Sequence, residues 1–404
     1  MVADNQPPAP LRGIRVVELA SPLGEWAGRL LAGLGADVVK VEPPGGASSR
    51  FIGPFVDDEP DPQASLYFWH FNSGKRSVEL DLTTQPGREA LARMIGGADV
   101  LIETLPPAGS PEAPQYRYTE LSKGNPRLVE VGITPFGQDG PYVDAHMHST
   151  DLTTMALGGI LQSCGYDAEL EQPPMLPDRF HSYYAAGHYA VIVAMVALWE
   201  REASGEGQYI DVSAQACLAV SNEGANLQWE YLGNVVVRQT ARHAAATKTV
   251  PGQLLCADGR YINTMMLPRD PATWRRLVAF LTEHGLGENF TDDTMLTDPA
   301  RRIERSAYAV ADLEVVAASM SSEEMFHTGQ AMGMTWGAVR APEDWLDDPH
   351  AEARDFFVPV RQPTLERDIP MPRGGIAFGG TPMRVTRAPF TGEHTAEVLK
   401  ELEA

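Results

Sequence analysis

Cysteine is nearly absent from this 404-residue sequence, which has only Cys164, Cys217 and Cys256. Three scattered thiols exclude a disulfide framework or a zinc site, and they fit a reducing cytoplasm. Long apolar runs are missing too. No segment reaches the ~18 uninterrupted apolar residues that a membrane helix requires. The opening "MVADNQPPAPLRG" has no basic-then-apolar signal, so export is not expected. Positive charge is scarce: 32 Lys and Arg face 54 Asp and Glu, for a net charge of −22. Such a surface repels nucleic acid and anionic lipid and excludes both as partners. Phosphate-binding glycine patterns are absent as well. There is no GxGxxG, and "NSGKRS" at 72–77 is not a P-loop, because Trp69 stands where its first glycine belongs.

What is present reads as a two-domain or three-domain α/β protein. "LRGIRVVELA" contains a β-branched run that predicts a buried strand. "GEWAGRLLAGLGA" follows with helical spacing of Trp26, Leu30, Leu31 and Leu34, and "DVVKVEPPGG" is a second strand. Strand, helix and strand within about 30 residues make a βαβ unit and so a parallel sheet. "SVELDL", "GREALARMIGGA", "DVLIET" and "RLVEVGI" continue the pattern, giving a Rossmann-like region from residue 11 to about 135. Helical periodicity then dominates from Thr150 to about Leu227. Residues 228 to 335 change style, with "GQLLCADGRYINTMM" as a hairpin and "PATWRRLVAFLTEHG" as an amphipathic helix. These predict a smaller α+β domain.

Candidate site residues are few. Lys75 and Arg76 follow a glycine in a loop and can serve a phosphate; the plainer reading is solvated surface. His146, His148, His181 and His188 are dense, but no carboxylates stand at metal-ligand spacing, so no metal is expected. "RFHSYYAAGHYAV" at 179–191, ahead of the apolar "VIVAMVALWE", holds two histidines and three tyrosines and no acid. His181 and Tyr183 are two residues apart and share a side if the chain there is extended.

The longer motifs carry a resemblance. "LRGIRVVELASPLGEWAGRLLAGLGADVVKVEPPGG", "LYFWHFNSGKRSVELDL", "ADVLIETLPPAG", "NPRLVEVGITPFGQDGPY", "ASGEGQYIDVS" and "RAPFTGEHTAEVLKEL" occur in the order found in family III (CaiB/BaiF-type) CoA-transferases. The resemblance implies a Rossmann-like large domain from residues 1–227, a small α+β domain from 228–335, and a return of 336–404 to the large domain. It also implies an interlocked ring dimer. CoA or an acyl-CoA enters as substrate, and no tightly bound cofactor is expected. The family's aspartate attacks the acyl-CoA thioester to give a mixed anhydride, and the CoA thiolate then opens it to an aspartyl thioester. Only a carboxylate can do this.

The family places that aspartate four residues before the glycine matched by Gly187, and here the position holds Tyr183. Pro173–Pro174 keeps its family spacing to it. The small-residue loop after the first strand reads Gly24, Glu25, Trp26, so bulky Trp26, with Tyr183 and Tyr184, is expected to line or fill the substrate pocket. Thr104 stands where the family often has an asparagine, and Lys75 matches a CoA-contacting lysine; Lys75, Arg76 and Thr104 are the expected CoA-binding residues. The racemases' histidine position is Thr150, with His146 and His148 close by.

The pattern is nearest to the aspartate-lacking subunit of a two-subunit enzyme such as (R)-benzylsuccinate CoA-transferase. A homologous partner would then supply the acid, in a heterodimer or heterotetramer, with succinyl-CoA as donor. One alternative is a self-sufficient transferase using Asp178, with Asp151 and Asp144 also near in sequence. Five residues of loop span more than 10 Å, so Asp178 needs a rebuilt loop. Another is an acyl-CoA isomerase or lyase using His148, His181 or Tyr183 as acid and base. A non-catalytic CoA-binding or assembly role completes the set.

Overall fold

The computed structural model describes residues 9–107, 118–176, 178–264, 267–290 and 293–403. Most of the proline-rich leader, the end of "LPPAG" and Met265–Met266 of the expected hairpin lie outside them. The chain begins with β1 (Arg15–Leu19), α1 (Glu25–Gly33), β2 (Asp37–Glu42), α2 (Leu66–Asn72), β3 (Arg76–Glu79), α3 (Gln85–Gly96) and β4 (Val100–Glu103). It continues with α4 (Tyr118–Gly124), β5 (Val129–Thr134), α5 (Pro141–Asp144), α6 (Asp151–Leu157), α7 (His181–Ser204), β6 (Tyr209–Ser213) and α8 (Ala214–Ser221). The six strands form one parallel sheet in the order β3-β2-β1-β4-β5-β6. Every residue of β4 and β5 is buried, as strands covered on both faces must be. The order reverses beside β1, between β2 and β4. In doubly wound sheets, ligands bind outside the carboxyl ends of strands at such a switch point.

The chain then passes into a second compact unit, residues 161–177 and 223–347, and returns to the first at Asp348. This second unit holds α9 (Glu223–Leu232), β7 (Gln253–Leu255), β8 (Tyr261–Asn263), α10 (Pro271–Glu283), α11 (Thr294–Thr297), α12 (Pro299–Ala317), α13 (Ser322–Ala331) and β9 (Gly337–Ala338). Its antiparallel β7-β8-β9 sheet packs with Trp274, Leu277, Leu313 and Trp336 in one core. The boundaries differ from those drawn on sequence at 227 and 335. Residues 161–177 also join this unit: the Asp167 carboxylate accepts from the Thr240 amide at 2.5 Å and pairs with Arg242.

The return segment brings α14 (Pro349–Ala353), β10 (Phe357–Gln362), β11 (Arg367–Pro372) and α15 (Thr395–Glu401). It covers the sheet's edge. The Ser77 and Glu79 amides of β3 donate to His394 Nδ1 and Thr395 Oγ1, and Arg76 pairs with Glu397 and Glu401 of α15. An otherwise open strand edge is thereby closed.

The apolar run expected to be too short for a bilayer belongs to α7, which at 24 residues is long and apolar enough to cross one. Its stripe Ala186, Ala190, Ala194 and Ala197 instead lies in the core of the first unit. Small side chains at near-helical repeats let α7 approach α1 closely: a Cβ on Gly187 would lie 2.9 Å from Trp26 Cδ1.

Beneath the switch point lies a buried ion cluster. Glu18 of β1 and Lys40 of β2 are register partners, with Nζ 3.0 Å from Oε1. Lys40 also reaches Glu25 at 2.8 Å, and Lys75 reaches Glu18 at 2.7 Å. Ser49 Oγ donates to Glu25, and Asn72 Oδ1 accepts from Lys75. All four charged side chains are fully buried. Their charges cancel, which is the condition for keeping them out of water.

Gly28 makes room for this cluster, since a Cβ there would sit 1.7 Å from Glu18 Oε2. In an open helical position Gly→Ala gains roughly 1 kcal/mol. Gly28→Ala is expected to do the reverse and cost about 2–3 kcal/mol by overpacking, read as a lower urea midpoint. An unchanged or raised midpoint contradicts the packing described.

Candidate active site

A cavity of about 270 Å³ opens at the switch point. Ser21, Pro22 and Leu23 follow β1, Thr104 to Pro107 follow β4, and Thr134 and Pro135 close β5. Ser149, Thr150 and Thr154 of the α6 start and Tyr183 of the first α7 turn complete it. An adjoining cleft of about 380 Å³ shares Pro106, Pro107, Thr134 and Pro135 and runs on to Phe136, Tyr142, Met147, His146 and His148. Among the described residues, no Asp, Glu, Lys or Arg lines either space.

Most hydroxyls here are already committed. Thr104 Oγ1 accepts from the Ser21 amide at 2.7 Å and donates to Ser21 Oγ at 2.9 Å, tying the β1 loop to the β4 loop. Thr134 Oγ1 both accepts from and donates to the Gly137 backbone. Thr154 donates to the Thr150 carbonyl, and Thr150 caps α6 in a reciprocal box with Thr153. The Thr150 position is therefore a helix cap.

Tyr183 is fixed by an acid that never enters the cavity. Residue Phe180, before α7, has φ of 69° and offers no side-chain cap. Asp151 of α6 supplies the cap from outside the helix. Its Oδ2 accepts from the Phe180 amide at 2.7 Å, and its Oδ1 accepts from the Ser182 amide at 2.9 Å and Ser182 Oγ at 2.6 Å. Burial and then the Asp151 carboxylate push the Tyr183 phenol above its ordinary pKa, while the Asp151 backbone amide pulls the other way. The phenol stays protonated.

Several sequence expectations change here. His181 and Tyr183 lie on a helix rather than an extended strand, so two residues turn them about 200° apart. His181 is exposed and touches neither cavity, which breaks the proposed acid–base pair. Asp178 is exposed, accepts from the Arg179 amide at 2.6 Å, and lines neither space. His148 does line the larger cleft, beside His146, and Thr104 lines the smaller cavity.

Trp26 and Tyr184 line neither cavity. Trp26 instead stacks on His70 at 5.6 Å and meets the Tyr184 ring edge-on at 4.9 Å. His188 Nδ1 lies 2.7 Å from the Tyr184 carbonyl, so that nitrogen carries the proton. Its Nε2 then accepts from the Trp26 indole at 3.4 Å. Burial, and secondarily Arg29, lower the His70 pKa to about 4. The ring beneath Trp26 is neutral.

Lys75 and Arg76 part company, and neither is part of a solvated phosphate loop. Lys75 is turned inward on Glu18, and burial lowers its pKa to about 8. Arg76 is turned outward to Asp37, Glu397 and Glu401. Sequence reasoning also missed Glu18 and Lys40, and it placed Asp151 only as an acid near in sequence, not as the cap of α7. The first two had a signal: one charged residue inside each apolar strand, "VVEL" and "VVKV".

Comparison with known proteins follows this geometry. The sequence model of CoA-transferase family III matches residues 11–395. The chain is 34% identical to the succinyl-CoA:(R)-benzylsuccinate CoA-transferase subunit BbsE of Thauera aromatica, over 96% of this chain and 93% of that one. It is 31% identical to the succinate–glutarate CoA-transferase of Agrobacterium fabrum, over 98% and 96%. A crystal structure of a CaiB/BaiF family protein from Brucella suis superimposes with a TM-score of 0.81 at 28% identity, covering 98% of this chain and 100% of that one.

The neutral His70 makes stability depend on pH. Its folded pKa lies below the unfolded value of about 6.5, so its contribution is complete above that pH and is lost as pH falls towards 4. Between pH 7.5 and 5 the loss amounts to roughly 2 kcal/mol. Urea unfolding at the two pH values should show that difference shrink in His70→Phe. An equal pH dependence in the variant refutes it.

Proposed function

The chain belongs to CoA-transferase family III, and from that membership we propose that it is one subunit of a two-chain enzyme. The enzyme moves CoA from an acyl-CoA donor, succinyl-CoA, to a carboxylic acid acceptor, and the homologous partner chain supplies the nucleophilic aspartate. One observation carries this reading: Tyr183 lines the cavity at the switch point, and among the described residues no carboxylate does. A phenol in that place cannot carry the chemistry. Its ester with an acyl group is less activated than an anhydride, and its oxygen cannot become a CoA thioester. The partner's carboxylate attacks the donor thioester and releases CoA thiolate. The thiolate then attacks the aspartyl carbonyl of the anhydride and releases the donor acid. The acceptor carboxylate reverses both steps and leaves as the new CoA ester.

Support for a partner comes from the printed name of the Thauera relative, a subunit, and from the outer surface of the first unit. Ile192, Val196 and Trp199 of α7 are 59%, 58% and 80% exposed, and Val220 of α8 is 63% exposed. The two helices pack on each other, and large apolar side chains left exposed on them favour a covering partner. Relatives named for succinyl-CoA support the donor. Phe136 and Tyr142, edge-on at 5.3 Å in the larger cleft beside Met147, support an aromatic acceptor acid. The three cysteines form no disulfide among the described residues, which fits a cytoplasmic setting.

Expressed alone, the chain is expected to show no CoA transfer from succinyl-CoA. Adding a homologous chain that has the aspartate should restore turnover, and hydroxylamine trapping should map the acyl group to the partner's peptide. Turnover by the lone chain, or an acyl adduct on its own Asp178, overturns the proposal.

A further inference from the structure

Tyr183 is more than a blocked position, because its proton is unspent. Tyr183 lines the cavity, and no described residue accepts its phenolic proton. Ser21 Oγ is in the same state: it accepts from Thr104 Oγ1 at 2.9 Å, and among the described residues its own proton has no acceptor. The hydroxyls of Thr134, Ser149, Thr150 and Thr154 are all engaged with neighbouring protein groups. The small cavity thus offers two free O–H donors, and among the described residues it holds no formal charge of either sign.

That inventory selects a class of ligand. A free carboxylate entering the cavity loses its hydration and meets only neutral donors, a poor exchange for a full charge. A thioester carbonyl is uncharged and needs only donors. A space of about 270 Å³ accommodates an acyl group with its thioester, not a nucleotide. Building on the subunit reading above, we propose that the Tyr183 and Ser21 hydroxyls make this chain's own cavity a receptor for the carbonyl oxygen of an acyl-CoA thioester, which it binds without consuming. A two-chain enzyme would then have one cavity that transfers and one that senses or stores the same class of ester.

The test uses two analogues that cannot transfer an acyl group: the ketone analogue of butyryl-CoA, with methylene in place of sulfur, and S-butyl-CoA, which lacks the carbonyl. Calorimetry on the full-length chain should find the ketone bound about tenfold more tightly, the worth of one good hydrogen bond. In Tyr183→Phe the ratio should fall to about one, and in Ser21→Ala it should fall part of the way. No binding, no preference in the wild type, or a preference that survives Tyr183→Phe overturns the inference. The subunit reading is tested separately by turnover. A lone chain that transfers CoA while still preferring the ketone sinks that reading and leaves the carbonyl site standing.

Discussion

The constraint on which the rest depends is charge balance inside the sheet. Two ammonium groups and two carboxylates sit out of water beneath the switch point, and each is tolerable only because the others are there. Removing one partner of such a set strands a buried charge and typically costs about 3–5 kcal/mol. The two lysines do not share equally. Lys40, held by Glu25 and Glu18, is pushed above its ordinary pKa, whereas burial and the neighbouring Lys40 leave Lys75 depressed. The cluster ties together β1, β2, the start of α1 and the segment after α2. Of these, β1 leads directly into a loop that borders the cavity. Rigidity there comes from ions that never face a ligand, a cost the fold can carry because no net charge is buried.

A second constraint passes from α6 to α7. The long helix opens without a cap of its own, so Asp151 lends its carboxylate to the Phe180 and Ser182 amides. Helix ends buried without partners are costly, and this arrangement sets the first turn of α7, hence the place of Tyr183. It also removes Asp151 from chemistry, because three donors already occupy its two oxygens. The acid nearest the phenol is structural.

Much of the fold was legible because parallel strands announce themselves. "VVEL", "VVKV", "VLIE" and "VEVGIT" are apolar runs buried on both faces, and the glycine after α1 marks where the chain turns. The start of α7 was legible as the onset of helical periodicity, but its cap was not. "RFHSYY" has no Ser, Thr, Asp or Asn immediately before the helix, since the cap lies 31 residues upstream of Ser182. The pairing of His181 with Tyr183 required an extended chain, and the helical turn there makes the two side chains diverge. The missing carboxylate at residue 183 was legible, because identity at one position is all it needs. Trp26 was misplaced for a different reason. Its bulk suggested a filled pocket, but its packing depends on Gly187 and His70, whose approach no local pattern encodes.

The charge inventory bears on how the polyanionic end of CoA is held. With a net charge of −22, the surface repels phosphates at long range. Lys75 and Arg76, the cations nearest a phosphate-loop pattern, are committed to Glu18 and to Asp37, Glu397 and Glu401. The cavities themselves contribute hydroxyls, prolines and two imidazoles. On the reading proposed above, a ligand drawn to them would be recognised at its acyl end, through carbonyl acceptance and aryl packing, and its phosphates would depend on groups beyond these walls. If the partner chain provides such groups together with the aspartate, loss of the acid here carries no penalty for assembly, because the scaffold and the interface do not depend on it.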